Sequence, residues 1–294
     1  MNITTSKECR YLYREILQGY TYLDDEDLYV KHFTEGDLGH LEVLYKKCEK
    51  KILKIGLEST KDKLKFLKEE GYWTEDEENE YMSARWAIED GYKFKGNLEF
   101  EEQKQNFQKV IEEKERIFET INSERRELLG PTTESFCDKK INEQYVRLAL
   151  FKDRELKEPL FTEEEFENIS YIDLSKLVQK YNEAVNKFTE MNTERIAVNG
   201  FFLNAFIMSD NDPVKFFGKS VLDLTMYQMS LYSKGKFFKS VLEEGKDPPE
   251  SLYNSIEEKG VEPIVNWFNT AHQQIKNERK RKEMLAKSNA ARRR

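Results

Sequence analysis

The chain has 294 residues, of which 38% are hydrophobic and 13% aromatic, so it can bury a core and lacks the composition of a disordered protein. Charged residues make up 35%, and the mean hydropathy of −0.81 is typical of thin helical structures with much solvated surface. No apolar run reaches the ~20 residues that cross a bilayer, so we expect neither a signal peptide nor a membrane role.

The N-terminal part of the chain favours long helices. Its first 130 residues contain no proline, a residue that costs about 3 kcal/mol inside a helix. Apolar residues at three- and four-residue spacing predict a first helix over residues 6–20. An acidic loop at residues 24–27 ends it. A second predicted helix begins near residues 34–37 and continues to Ile55, with Gly56 at its end.

The most regular pattern predicts an antiparallel helical hairpin. A Thr74-x-x-Glu77 capping box begins its first helix, Gly96 marks the tip, and Gly130 with Pro131 ends the second helix. The second helix has apolar residues at heptad positions, which typically form a seam between helices. These residues are Phe100, Phe107, Val110, Ile117, Ile121 and Leu128. We expect Ile117 and Ile121 to be buried, in a seam formed either within one chain or between chains.

After Pro159 the composition shifts toward aromatic residues, and capping boxes predict where helices begin. Thr162 with Glu165 forms one box and Thr225 with Gln228 forms another. Paired and single phenylalanines favour core packing, and a binding groove is the alternative interpretation. They are Phe201, Phe202, Phe206, Phe216, Phe217, Phe237 and Phe238.

Two further helices are predicted in this half. An apolar repeat that begins at Leu174 predicts one long helix ending near Ser209, with a kink at Asn199 and Gly200. The last predicted helix opens at Pro263, and its apolar face ends at Ile275.

No segment has the sustained alternation of a β-strand. The predicted fold class is therefore all-α: an elongated molecule with an antiparallel coiled-coil-like helical hairpin plus a helical bundle. We predict N-terminal helices in residues 1–57, the hairpin in 58–150, an aromatic-rich bundle in 151–262, and a C-terminal helix with a basic tail in 263–294.

The sequence favours a protein that is not an enzyme. The closest glycines, Gly36 and Gly39, do not form a phosphate-binding loop, and no nucleophile elbow is present. His40 and Cys48 lie eight residues apart on a helix and cannot bridge one metal ion by themselves. We therefore predict no catalytic residue, no cofactor and no metal.

The three cysteines, Cys9, Cys48 and Cys137, are odd in number and widely spaced. Such spacing is typical of reduced thiols rather than of a disulfide framework. We therefore expect a cytoplasmic protein of a bacterium or of an infected cell.

A basic C-terminal segment contrasts with an acidic body. The formal net charge is −8, whereas residues 276–294 have a local charge of +7, which leaves −15 for the remainder. This segment is either a solvated end, a nucleic-acid contact or a docking element for an acidic protein surface. The candidate binding residues are Lys276, Arg279, Lys280, Arg281, Lys282, Lys287, Arg292, Arg293 and Arg294.

Three stretches resemble virion or tail-assembly proteins of large tailed bacteriophages. They are Gly-Tyr-Trp-Thr-Glu-Asp-Glu-Glu at 71–78, Glu-Arg-Arg-Glu-Leu-Leu at 124–129 followed by Thr133-Glu134, and Phe-Phe-Gly-Lys-Ser at 216–220 with Leu-Thr-x-Tyr-Gln at 224–228. The resemblance covers about half of the chain and carries over no catalytic residue. It implies a morphogenesis role, as a structural component or an assembly chaperone.

These observations together predict a non-enzymatic interaction protein of phage particle or tail assembly. The alternative is a nucleic-acid-associated factor that binds phosphate through its basic tail. The expected partners are other phage proteins, with nucleic acid as the alternative and no membrane, and self-association is left open. We expect the protein in the cytoplasm of the infected cell or in the virion.

Overall fold

The computed structural model describes residues 5–96, 98 and 101–292, without the side chains of residues 101, 102, 104, 257 and 286–292. The described chain is mostly helical, which confirms the predicted all-α character apart from one small sheet. Within it, no helix has the length and apolarity that a membrane crossing requires.

Helices dominate both halves of the described chain. The first half contains α1 (Ser6–Gln18), β1 (Tyr20–Leu23), β2 (Leu28–Lys31), α2 (Glu35–Ile55), α3 (Thr60–Glu69), α4 (Glu75–Gly96), α5 (Glu101–Leu129), α6 (Thr133–Ala149) and β3 (Leu150–Phe151). The second half contains α7 (Glu163–Glu167), α8 (Tyr171–Val185), α9 (Glu190–Ala197), α10 (Gly200–Met208), α11 (Pro213–Phe217), α12 (Met226–Glu243), α13 (Glu250–Asn254), α14 (Ile256–Lys259) and α15 (Glu262–Arg292).

The chain divides into two compact units. The larger unit takes in residues up to Leu41 and from Glu143 onward, and the inserted unit comprises residues 42–142. The four segments predicted from the sequence stay a prediction. The two units group them differently, because the first 41 residues fold with the C-terminal half of the chain.

The core of the larger unit is built from α1, α9, α10, α12 and α15. A Thr5 and Glu8 capping box begins α1 and places Cys9, Leu12 and Ile16 on its buried face. Phenylalanine rings fill the space between the helices, and Phe202, Phe206, Phe238 and Phe268 are fully buried. Three of the seven phenylalanines predicted to pack in a core, Phe202, Phe206 and Phe238, are therefore core residues, and the other four are half-buried.

The capping boxes predicted at Thr74, Thr162 and Thr225 are confirmed. The third box also joins two helices. Gln228 is fully buried, and its side-chain oxygen accepts a hydrogen bond from the Thr225 N–H at 3.0 Å. Its side-chain nitrogen donates to the Ile16 and Leu17 carbonyls at 2.9 and 3.0 Å. One amide therefore caps the start of α12 and also satisfies carbonyls at the end of α1.

The single long helix predicted over residues 174–209 is wrong, because this stretch forms α8, α9 and α10. Thr189 interrupts the apolar repeat and caps α9 by accepting a hydrogen bond from the Asn192 N–H. The predicted kink at Asn199 and Gly200 is instead the break between α9 and α10, where Asn199 has an extended backbone. The apolar period is continuous over this stretch, but the helix breaks at Thr189 and Asn199 divide it into three helices.

A three-stranded antiparallel sheet, in the order β1, β2, β3, was not predicted. Tyr20 pairs with Lys31, and Val30 pairs with Leu150. The first two strands have four residues each and the third has two, which is too short for a recognisable alternation. The acidic loop at residues 24–27 is the turn between β1 and β2, where Asp27 adopts a left-handed backbone with a φ of 52°.

Two glycines provide a matched test of this packing. A Cβ at Gly235 in α12 would lie 3.0 Å from ring carbons of the buried Phe206, whereas a Cβ at Gly39 in α2 would meet no atom within 4 Å. We predict that Gly235→Ala lowers the free energy of unfolding by about 1–3 kcal/mol. Gly39→Ala should raise it by about 0.5–1 kcal/mol, because alanine favours the helix. Urea denaturation measures both changes, and equal shifts would contradict the packing described.

Candidate interaction surfaces

In the inserted unit, α4 and α5 pack against each other in opposite directions. The Phe94 ring lies 5.0 Å from the Phe107 ring, and the Tyr81 ring is stacked 5.3 Å from the Phe118 ring. Residues near the end of α4 therefore contact residues near the start of α5, and earlier residues of α4 contact later residues of α5, as in an antiparallel pair. The pairing ends in a bidentate ion pair between Arg125 and Glu78, with both N–O distances at 2.9 Å.

This pairing determines which face of α5 is buried. Ile111 is 1% exposed and lies beneath Gly91, where a Cβ would approach the Ile111 side chain to 3.2 Å. Further along α5, Leu129 packs with Leu67 and Trp73. The glycine lets α4 approach α5 closely, because a larger residue at position 91 would meet Ile111.

The predicted burial of Ile117 is wrong, since this side chain is 55% exposed. Its neighbour Phe118 takes the position opposite Tyr81. One residue along a helix corresponds to a rotation of about 100°, so Ile117 lies beside the covered face rather than on it. Ile121 is half-buried against the small cluster of Leu67, Trp73 and Leu129.

An apolar stripe on α5 consequently remains uncovered in the described chain. We call Val110, Ile117 and Leu128 the α5 stripe, and they are 44%, 55% and 39% exposed. Separations of seven and eleven residues correspond to about two and three helical turns, so the three residues share one side of the helix. Lys114 lies between Val110 and Ile117 on that side and is exposed. It has no ion-pair partner within the described residues.

Two isoleucines on the same helix test this assignment of faces. Ile111→Ala should lower the free energy of unfolding by about 2–4 kcal/mol, because it removes buried apolar contacts beside Gly91. Ile117→Ala should change it by less than about 1 kcal/mol, because the side chain is largely solvated already. Chemical denaturation of both variants gives the comparison, and a large loss at Ile117 with little at Ile111 would reverse the assignment.

The basic C-terminal segment continues α15, which extends to Arg292. The core contacts end at Ile275, which is 7% exposed, and Met284 and Leu285 are 66% and 56% exposed. Lys276, Lys280, Arg281 and Lys282 are all exposed, and Arg279 forms an ion pair with Glu244. The side chains of Lys287 and Arg292, and the whole of Arg293 and Arg294, lie outside the described residues.

A contact between two cysteines was missed by sequence analysis. The sulfur atoms of Cys48 and Cys137 lie 2.9 Å apart, and both residues are free thiols. Burial, together with the contact with Cys48, raises the pKa of the Cys137 thiol to about 12. No local signal indicates this pair, because the two residues are 89 positions apart in the chain.

The described residues contain no group of three or more His, Cys, Asp and Glu side chains arranged to hold a metal ion. A groove of about 660 Å³ follows α3, and its walls include Lys61, Lys65, Asp62 and Glu134. This mixture of charges favours neither an anionic nor a cationic ligand.

Comparison with known proteins does not assign the chain, since no family model, no curated protein and no solved structure matches it. The function must therefore be inferred from the α5 stripe and the basic segment of α15.

Proposed function

We propose that the chain is a non-enzymatic interaction protein of bacteriophage particle or tail assembly, acting as a structural component or an assembly chaperone. The observation that supports this proposal most is the α5 stripe, a regular apolar surface that no described part of the chain covers. The resemblance of three sequence stretches to phage virion and tail-assembly proteins supplies the biological setting. The site of action would be the infected cell or the virion.

The partner that fits the α5 stripe is a helix of a second protein. The stripe extends from Val110 to Leu128, which is roughly 27 Å along a helix. Covering each half-exposed side chain would contribute about 1 kcal/mol, so the stripe needs a partner with matching apolar periodicity to bind firmly. The α4 and α5 pair would then complete an elongated coiled-coil-like assembly with that helix. A partner carboxylate opposite Lys114 would fix the register of the two helices.

The test is purification of the tagged full-length chain from the native infected cell, followed by mass spectrometry of the proteins that remain bound. We predict that the wild type retains a virion or tail protein and that Ile117→Lys loses it, because a charge replaces the centre of the stripe. Lys114→Glu should also weaken retention, through repulsion of the partner carboxylate.

Ile172→Lys is the matched control for this experiment. Ile172 lies in α8 and is 67% exposed, so its substitution changes the same chemistry on another surface. Retention of the same partner by Ile172→Lys, with loss by Ile117→Lys, supports the proposal. Equal retention by both variants would contradict it, as would a wild-type chain that retains no phage protein.

The second candidate function is nucleic-acid binding, and the basic extension of α15 favours it. The described side chains from Lys276 to Lys282 include five cations, all exposed on a helix that continues beyond the core. The rest of the chain has a charge of −15, which would repel nucleic acid from every other surface.

Neutralisation of three charges tests this alternative. If α15 binds phosphate, replacing Lys280, Arg281 and Lys282 by Gln should weaken binding to duplex DNA. It should also reduce the slope of log affinity against log salt by about 0.9 for each lost contact. Filter binding or fluorescence anisotropy at several salt concentrations measures both effects.

The matched control replaces Lys47, Lys50 and Lys51 on α2 by Gln. These lysines are also exposed, and their replacement removes the same total charge. Feeble DNA binding by the wild type, or equal losses in the two triple variants, would exclude phosphate recognition by α15. The melting temperature should be nearly unchanged in the α15 variant, because that segment lies beyond Ile275, the last buried residue among the described side chains.

A further inference from the structure

The contact between Cys48 and Cys137 joins the two ends of the inserted unit. Cys48 lies in α2 and Cys137 lies in α6, and both belong to the unit of residues 42–142. Their sulfur atoms lie 2.9 Å apart, although the two residues are 89 positions apart in the chain. The remaining cysteine, Cys9, lies in α1 of the larger unit. Folding therefore brings two of the three cysteines together, close to where the inserted unit begins and ends.

The geometry leaves little movement between this contact and a covalent bond. The S–S bond of a disulfide is about 2.05 Å long, so the sulfur atoms of Cys48 and Cys137 need to approach by about 0.9 Å. Each sulfur then moves by about 0.5 Å, which a small rotation about χ1 supplies while the side chain stays near its rotamer. The two helices can therefore keep their positions when the bond forms.

Simple core packing is the alternative interpretation of the pair, because free cysteines are among the most often buried residues. Cys9 is an example of such packing. It is 0% exposed in the core of the larger unit, and its thiol donates to the Arg195 carbonyl oxygen at 3.9 Å. Cys48 and Cys137 contact each other instead, and among the described residues they belong to no group of three metal-binding side chains. A pair of thiols in contact is the arrangement from which a disulfide forms.

The two thiols differ in their access to solvent. Cys137 is 0% exposed, whereas Cys48 is half-buried and can be reached by a small oxidant. Burial, together with the contact with Cys48 and the negative charges of Glu49 and Asp138, raises the pKa of the Cys137 thiol, so Cys137 keeps its proton at neutral pH. Cys48 is therefore the thiol that meets the oxidant, and Cys137 is the thiol that closes the bond.

We propose that Cys48 and Cys137 are a modification site at which a small hydroperoxide forms a disulfide and a small thiol reopens it. With hydrogen peroxide, the Cys48 sulfur attacks one oxygen and the O–O bond breaks, which gives a sulfenic acid on Cys48 and one water. The Cys137 sulfur then attacks the Cys48 sulfur, the S–O bond breaks, and the hydroxide leaves with the Cys137 proton as a second water. The two thiols lose two electrons and two protons, and one peroxide becomes two waters.

The disulfide makes the stability of the inserted unit depend on the redox state of its surroundings. It closes a loop that contains α3, α4 and α5, and such a crosslink removes conformational freedom from the unfolded chain. A small thiol that attacks the Cys48 sulfur expels Cys137, whose raised pKa makes it a poor leaving group, so the bond reopens slowly. The pair stays reduced in a reducing cytoplasm and closes under oxidation. This site is independent of the proposed assembly function.

The direct test treats the purified full chain with hydrogen peroxide, blocks the remaining thiols after unfolding, and maps the disulfides by mass spectrometry. The expected product is a monomer with one bond between Cys48 and Cys137, with Cys9 still a free thiol and with both thiols restored by dithiothreitol. A bond between two copies of the chain or a bond that includes Cys9 would overturn the proposal. Oxidation of Cys48 to a sulfinic acid without any disulfide would overturn it as well.

A denaturation experiment measures the effect of the bond on the inserted unit. In the Trp267→Phe chain the two remaining tryptophans, Trp73 and Trp86, both lie in that unit, so their fluorescence follows its unfolding. The oxidised chain should unfold at a higher urea concentration than the reduced chain, because the crosslink restricts the unfolded state. Cys48→Ser in the same background is the matched control, and its midpoint should not respond to peroxide. An unchanged or lower midpoint in the oxidised chain, or the same rise in Cys48→Ser, would contradict the proposal.

Discussion

The inserted unit depends on one geometric constraint: α5 has two apolar faces about 100° apart, and α4 covers only one of them. The covered face includes Ile111, which fits beneath Gly91, and Phe118, which stacks on Tyr81. The buried ion pair between Glu78 and Arg125 fixes the register, since breaking it would leave a largely buried charge without a partner. With that register, Ile117 has no position in the seam and lies in solvent.

The larger unit shows a different principle, in which buried polar groups locate the helices and strands around an aromatic core. Gln228 joins the start of α12 to the end of α1 by donating two hydrogen bonds, to the Ile16 and Leu17 carbonyls. A hydrogen bond from Thr21 to Glu15 connects β1 to α1. The Thr21 hydroxyl also contacts His32, the residue that follows β2. Among the described residues, the buried side-chain nitrogen and oxygen atoms have hydrogen-bond partners except His32 Nδ1 and Asn211 Oδ1.

Sequence patterns predicted the elements whose signals are local. The capping boxes at Thr74, Thr162 and Thr225 and the apolar face of α15 up to Ile275 agree with the structure. The sequence failed where long-range contacts decide. The partial burial of Phe118 in place of Ile117 depends on Tyr81 in another helix, and the short strands depend on pairing between Val30 and Leu150.

The candidate sites follow the same division. The composition alone indicated the basic segment of α15, because a local excess of charge needs no tertiary contact to be recognised. The α5 stripe was visible as a heptad pattern, but its exposure could be learned only from the position of α4.

Contact of the α5 stripe with a second protein is the central claim, and site-specific photo-crosslinking tests it most directly. A benzophenone side chain introduced at position 117 should, on illumination of the infected cell, give one defined covalent product with a phage structural protein. The same probe at position 172, which lies on α8 and is at least as exposed as position 117, should give no such product. Absence of a product at position 117, or the same product from both positions, would contradict the account.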